Sequence, residues 1–409
     1  MLEPVHLITG VSLVDGTVVD VTVVEGVVTA VRESTTVGDL HLPGWLLLSA
    51  ATEPHAHLDK AFSWGHVPQR YGDLRSAIDS WLSYAGTMTA GDIHRRARHA
   101  LEQYLAHGIT TIRTHVDVLP GPDPLRGVEA LLALREETRD LLDLQIALLT
   151  REDSSDSLVI EAAQLGIDLI GGAPHLWRDP EADTTRLLDL AEQLGLPVDL
   201  HTDEQLGAHV LSLAHLCRQV RQRGLAGRVT ASHCVSLGSL PPEPLARTVR
   251  EIRAAGVGII TLPITNLYLQ GRDYPAPRPR GLPALQALLD AGVDLAAGGD
   301  NIRDPFNPMG RADPFETTSL LITAGHLDAH SALAAVTSGG RAVLGLPPAG
   351  PTVGARANFV AVQAASLADA LAGPGDARIV VHNGRIVSRT TVDRRTALTP
   401  YPEPTVRPA

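Results

Sequence analysis

Residues 183–234 run DTTRLLDLAEQLGLPVDLHTDEQLGAHVLSLAHLCRQVRQRGLAGRVTASHC. Asp183–Leu194 has helix-forming composition with an apolar face, Gly195 stops it, and the apolar run Val198–His201 follows. Leu206–Arg223 repeats the helical pattern, and Val229–Ser232 is again short and apolar. Runs this short, apolar throughout rather than alternating, suit strands of a parallel sheet buried on both faces. Each run ends in residues able to do chemistry: His201-Thr202-Asp203-Glu204 after the first, Ser232-His233-Cys234 after the second.

The same unit extends in both directions. Further apolar runs occur at Thr111–Val118, Leu144–Leu149, Leu169–Gly172, Gly258–Leu262 and Asp294–Ala297, with a first strand expected at Trp45–Ala51. Helical stretches Asp92–His107, Arg126–Leu142, Pro244–Ala255 and Leu282–Ala291 lie between them, with Gly108, Gly166, Gly256 and Gly292 as stops. Eight strand–helix units predict a (β/α)₈ TIM barrel. A doubly wound sheet also alternates, but its chemistry gathers in one crevice, whereas here polar residues follow many different strands. The ends differ from the middle. Val5–Arg32 alternates short β-rich runs with turns at Asp15-Gly16 and Glu25-Gly26, and Asn358–Gln363 and Arg378–Ser388 return to that pattern around Asn383-Gly384. Both termini are therefore expected to build one small β-sandwich: residues 1–50 and 349–409, the latter with a tail, around a barrel at 51–348. Two unrelated flanking hairpins are the alternative.

Composition limits the partners. A formal net charge of -12 argues against nucleic acid, whose phosphates need a basic surface. The apolar start Val5–Val14 is too short to span a membrane, and no basic segment precedes it as in a secretory signal. With only Cys217 and Cys234, no disulfide framework is expected, and a cytoplasmic setting follows.

The expected first strand is followed by Glu53-Pro54-His55-Ala56-His57-Leu58-Asp59-Lys60. Histidines two apart on extended backbone point the same way and can reach one ion. Strand two ends in Arg113-Thr114-His115-Val116-Asp117 and strand eight in Gly298-Gly299-Asp300-Asn301. Five strand ends filled in register predict a metal site at the barrel's C-terminal face. Two or three histidines with a carboxylate suit one divalent ion, Zn²⁺ or Fe²⁺, rather than an oxygen-only Mg²⁺ or Ca²⁺ site.

The motifs EPHAHLDK, GITTIRTHVDV, DLQIALL, DLHTDE, RVTASHC, NLYLQGRDYP and GGDNIRDPFNPMG resemble those of the amidohydrolase superfamily, and within it the cytosine deaminase branch. The resemblance runs through the whole barrel. It implies one metal held by His55, His57, His201 and Asp300, with Glu204 as proton shuttle and His233 holding the attacking water or developing oxyanion; Asp300 would also accept the water's proton. His115 is expected behind the ligands or in the pocket. No lysine in the strand-four stretch Ile170–His175 offers a carboxylated bridge for a second metal, and His175 is a further pocket candidate.

The chain departs from that branch at three positions. Arg151 stands where the family reads a pyrimidine amide edge with glutamine; Arg donates only, and so prefers a carboxylate, an oxyanion or a carbonyl-rich ring. Asn301 replaces a second aspartate, and Phe306 a tryptophan. Lys60 is the only lysine among 34 basic residues, placed to set an ammonium beside the metal or to anchor Asp59. A similar His-Leu-Asp-Lys stretch marks triazine-deaminating relatives. Asn266 and Gln270, after strand seven, are further substrate contacts. The expected activity is hydrolytic deamination of a small nitrogen heterocycle. Cyclic or acyclic amide hydrolysis on the same site is the runner-up. A non-catalytic binder is the third reading, although no ligand or shuttle is missing. Association through the outer helices into a homo-oligomer is compatible with this frame.

Overall fold

The computed structural model describes residues 3–35, 37–68, 71–207, 211–373 and 377–395. Eight parallel strands follow one another around a sheet: Ala51–Ala56, Ile109–Asp117, Asp143–Thr150, Leu169–Gly172, Val198–Thr202, Val229–His233, Gly258–Thr261 and Leu295–Ala297. Each pairs with its neighbours in sequence, and a parallel bridge between Ala56 and Asp300 brings the last back to the first. The result is a closed (β/α)₈ barrel. Its core packs residues such as Ile112, Ile146, Leu148, Ile170 and Leu200 against helix faces carrying Leu131, Leu187 and Val220.

The first barrel strand differs from expectation. Leu46–Ser49 pairs antiparallel with Phe359–Val362 in the flanking sheet, and Ala51–Ala56 is the barrel strand. Hydropathy favours the leucine run. Strand one instead contains Glu53, Pro54 and His55, all fully or nearly buried. Among the helices outside the expected helical stretches, two lie near the barrel's C-terminal strand ends. Leu74–Ala85 starts where Asp73 accepts a hydrogen bond from the Ser76 N–H, and Asp156–Leu165 starts where Ser155 caps the Leu158 N–H. The helix expected from Leu206 runs Ser212–Arg223; residues 208–210 of that expectation lie outside the described residues.

The flanking sheet orders Glu3–Pro4, Arg385–Thr390, Arg378–His382, Phe359–Val362, Leu46–Ser49, Leu7–Ser12, Val18–Val24 and Val27–Glu33. N- and C-terminal strands thus meet at Leu46–Ser49, and both ends of the chain build one small β-sandwich layer. Asn383 and Gly384 both sit at positive φ, the backbone that a tight type I′ hairpin requires. Among the described residues, no helix is long and apolar enough to cross a membrane.

Candidate metal centre and active site

The C-terminal strand ends converge. His55 Nε2 lies 3.1 Å from His201 Nε2, and His201 Nε2 lies 3.2 Å from His57 Nε2. Asp300 Oδ1 is 3.3 Å from His57 Nε2 and 3.9 Å from His55 Nε2. Zinc–nitrogen bonds of about 2.0–2.1 Å in tetrahedral geometry hold neighbouring ligand atoms roughly 3.3 Å apart, which matches these separations. Asp300 Oδ1 is buried and has no hydrogen-bond partner among the described residues. Burial, with neighbouring positive groups, holds His55, His57 and His201 well below the usual imidazole range, so their rings are neutral ligands. Burial also pushes Asp300 up to about 8, opposed by His233 and reinforced by Glu204, Asp304 and Glu53. A divalent cation among these atoms would reverse that balance and bring the carboxylate into use as a ligand. The donor set fits one divalent ion.

Two other arrangements share these residues. His233 joins His55 and His201 in a second triad of possible ligands. A third comprises His55, His115 and Asp199, but Arg113 Nη1 already donates to Asp199 Oδ2 at 2.9 Å, placing a positive charge where a second ion would sit.

Glu204 is buried and faces the same space, Oε1 3.6 Å from His233 Nδ1 and Oε2 3.8 Å from His175 Nε2. Burial pushes its carboxyl up to about 8. His233 Nδ1 donates to Asn266 Oδ1 at 2.9 Å, leaving a neutral ring with a free Nε2. The backbone at His233 (φ 68°) and Asp300 (φ 64°) is left-handed, strained for side chains of this size, and both residues line the same cavity.

That cavity holds about 270 Å³ and is lined by His57, His201, Glu204, His233 and Asp300 at its floor and by Trp81, Trp177 and Phe306 higher up. Lys60 also lines it, but its ammonium is engaged: Nζ is 2.6 Å from Asp117 Oδ1, 3.2 Å from His57 Nδ1 and 3.9 Å from Asp59 Oδ1. Arg151 lines the cavity while its Nε donates to Asp153 Oδ1, and its side chain is 37% exposed, so the guanidinium is at the rim. Asn301 and Phe306 are in the lining. Three other expected contacts stand behind the wall. Asn266 holds His233, and Gln270 Nε2 donates to the Glu204 carbonyl. His115 packs beside the His55 ring, centroids 4.1 Å apart.

Several site residues escaped the sequence reading. The helix Leu74–Ala85 walls the cavity with Leu74, Ile78, Trp81 and Leu82, a spacing that an amphipathic search would have found. Asp117 Oδ2 accepts from Trp81 Nε1 at 2.6 Å and so fixes that indole. Glu53 ties strand one to strand eight, accepting from the His55 N–H at 3.3 Å and the Gly299 N–H at 2.8 Å. A Cβ at Gly298 would come within 2.0 Å of Glu53 Oε1, so a side chain there would have to displace the Glu53 carboxyl from this seam.

The sequence pattern of the amidohydrolase family matches residues 85–388. The chain belongs to that family. Its relatives include a pterin deaminase of Rhizobium rhizogenes, 33% identical over 353 residues that cover 83% of this chain and 80% of the relative. Among solved structures, a 5-methylcytosine deaminase from Klebsiella pneumoniae bound to 5-fluorocytosine superposes with a TM-score of 0.88 at 27% identity, covering 95% of this chain and 99% of that one. An N-isopropylammelide isopropylaminohydrolase from Burkholderia multivorans gives 0.81 at 28% identity, covering 94% and 98%. Family and donor set together make this chain a metal-dependent hydrolase of C–N bonds other than peptide bonds, with a single divalent ion as cofactor.

Proposed function

We propose that the enzyme deaminates a small aminated nitrogen heterocycle by hydrolysis. One observation carries this reading: His55, His57, His201 and Asp300 converge in one buried cavity with Glu204 and His233 facing them. A divalent ion held by the first four would supply the Lewis acidity that makes water a competent nucleophile near neutral pH.

The protein's own groups manage the protons. His233 Nε2 carries a lone pair, because Nδ1–H is given to Asn266, so it can take a proton from the attacking water. The resulting imidazolium then donates to the oxygen growing at the ring carbon; such a donor contributes roughly 2.7–4 kcal/mol in comparable oxyanion sites. Asp300 Oδ1 is the second acceptor for a water proton. With its carboxyl pushed up to about 8, Glu204 is mostly protonated at neutral pH and can protonate the ring nitrogen, then ferry a proton to the leaving group. Water adds to the amino-bearing carbon. One of its hydrogens ends on the ring nitrogen, the other leaves in ammonia, and a carbonyl remains.

The aromatic wall of the cavity supports a planar ring substrate. The relatives' names cover a pteridine, a pyrimidine and a triazine. Arg151 at the rim favours an oxo or anionic substituent on the outer edge. Both cysteines are free and buried, which suits a reducing cytoplasm. The test is ammonia release from cytosine, isocytosine, isoguanine, aminated triazines and a pterin, with protein loaded separately with Zn²⁺ and Fe²⁺. Metal-dependent release that Glu204→Gln abolishes supports the reading. Ring opening to a carboxylate without ammonia overturns it in favour of amide hydrolysis.

A further inference from the structure

We propose that Ser232 and Asp199 are positioning residues that fix the tautomer of His55 and thereby set how tightly the site holds its ion; this rests on the metal-centre reading above and deepens it. His55 Nδ1 lies 2.9 Å from Ser232 Oγ, and Ser232 Oγ donates to Asp199 Oδ1 at 2.9 Å. His55, Ser232 and Asp199 have no solvent exposure. On the far side, Arg113 Nη1 donates to Asp199 Oδ2 at 2.9 Å, and Arg113 Nε donates to Gln145 Oε1 at 3.1 Å.

Counting protons along this chain leaves one solution. An ionised carboxylate only accepts, and the Arg113 guanidinium beside Asp199 favours the ionised form. The single hydroxyl proton of Ser232 therefore goes to Asp199. The Ser232 oxygen is left with lone pairs only, so it must accept from His55 Nδ1–H. A neutral imidazole protonated at Nδ1 has its free lone pair on Nε2, the atom that faces His201 Nε2 and Asp300 Oδ1. Neither of the other ring ligands has this support. His57 Nδ1 faces the donor-only ammonium of Lys60, and His201 Nδ1 has no partner among the described residues. His55 is the ligand with an acceptor chain behind it, and that chain begins at a carboxylate two residues before His201 on the same strand.

Without the hydroxyl, the Nδ1–H loses its acceptor inside a dry core, and the Nε2–H tautomer competes with the ion for the same lone pair. Loss of such an outer hydrogen bond typically weakens metal affinity 10–100-fold. The experiment is a competition titration of ion-free protein with Zn²⁺ against a chromophoric chelator, with the Co²⁺ absorption spectrum as a readout of ligand geometry. Ser232→Ala is expected to bind Zn²⁺ 10–100-fold more weakly with an altered Co²⁺ spectrum. Ser232→Thr, which keeps the hydroxyl, should stay within a few-fold of wild type. Thr261→Val removes another fully buried hydroxyl at a neighbouring strand end and should leave the affinity unchanged. Wild-type affinity in Ser232→Ala overturns the proposal, as does equal weakening in Ser232→Ala and Ser232→Thr. A wild-type protein that takes up no ion at all overturns the metal-centre reading itself, a result distinct from either.

Discussion

Replacing Glu204 with glutamine keeps the side chain's shape and removes its proton. Burial alone pushes this carboxyl from its ordinary 4.5 up to about 8. At pH 7, one unit lower, about nine molecules in ten carry the proton. Glu204→Gln should therefore cut kcat for ammonia release by about 10²–10⁴, the usual contribution of a positioned acid–base group, while KM changes little. The same burial has a thermodynamic consequence in ion-free protein. A carboxyl whose folded pKa is raised contributes stability that is fully present below about 4.5 and lost as pH rises through about 8. At about 1.4 kcal/mol per pH unit, the loss reaches about 5 kcal/mol, an upper figure because any water reaching the cavity lowers it. Ion-free Glu204→Gln should match ion-free wild type at pH 4 and exceed it in stability at pH 9. Urea unfolding of both proteins across that range measures the difference, and steady-state ammonia release measures kcat. If the two stability curves stay parallel, Glu204 is not a buried carboxyl of raised pKa. If the variant keeps more than a tenth of the wild-type kcat, Glu204 is not the proton shuttle.

Removing the ion with a chelator should abolish ammonia release, and adding back Zn²⁺ or Fe²⁺ should restore it; a chelated, ion-free protein that keeps its rate contradicts the metal-centre reading. Gly298→Ala drives a methyl group to within 2.0 Å of Glu53 Oε1 and should cost about 1–3 kcal/mol, measured by urea unfolding, together with most of the activity. An unchanged midpoint would show that the seam between strands one and eight is looser than described. Trp81→Leu removes an aromatic wall from the cavity and about 0.5–1.5 kcal/mol of ring packing, so KM should rise up to about tenfold with kcat within a few-fold. A fall in kcat with KM unchanged would place Trp81 in the chemistry instead.

The candidate ligands were legible because two constraints act on them together. Metal chemistry restricts residue type to histidine and carboxylate, and barrel architecture restricts place to strand ends, so His55, His57, His115, His201, His233 and the carboxylates beside them stand out without any contact information; the resemblance to the amidohydrolase superfamily is what singles out His55, His57, His201 and Asp300 among them. The first strand was misplaced for a related reason. Ala51–Ala56 contains Glu53, Pro54 and His55, whose burial is satisfied by backbone N–H groups and neighbouring ligands rather than by apolar surroundings, so hydropathy shifts the strand to the leucines before it. Asp156–Leu165 was hidden by the polar stretch at 151–156, which in the structure supplies its cap. Asn266 and Gln270 followed a barrel strand and so looked like substrate contacts. The helix Pro263–Leu269 instead turns one onto His233 and brings the other to the Glu204 carbonyl. Cavity walls impose no such restriction on residue type, and the place of Trp177 in the wall and the Asp117–Trp81 hydrogen bond became visible only in three dimensions.

The metal-centre residues also close the barrel. Strand eight is three residues long, and among the described residues the bridge between Ala56 and Asp300, just beyond it, is the backbone pairing that joins this end to strand one. Glu53 reinforces that seam from below, with one carboxylate oxygen on the His55 N–H and the other on the Gly299 N–H. Burial pushes its carboxyl up to about 8 even though the backbone N–H groups of Gly299, His55 and Asp300 pull the other way, so near neutral pH the clamp rests on these hydrogen bonds rather than on a full negative charge. His55 and Asp300 flank the seam, while His201, on strand five, approaches from across the barrel. An ion bound among them would link strand five to this junction, which the hydrogen-bond ladder otherwise joins to it only through the intervening strands. Ligand geometry and barrel closure therefore constrain each other, which accounts for a buried glutamate, a glycine against its carboxyl and a left-handed aspartate within one strand junction.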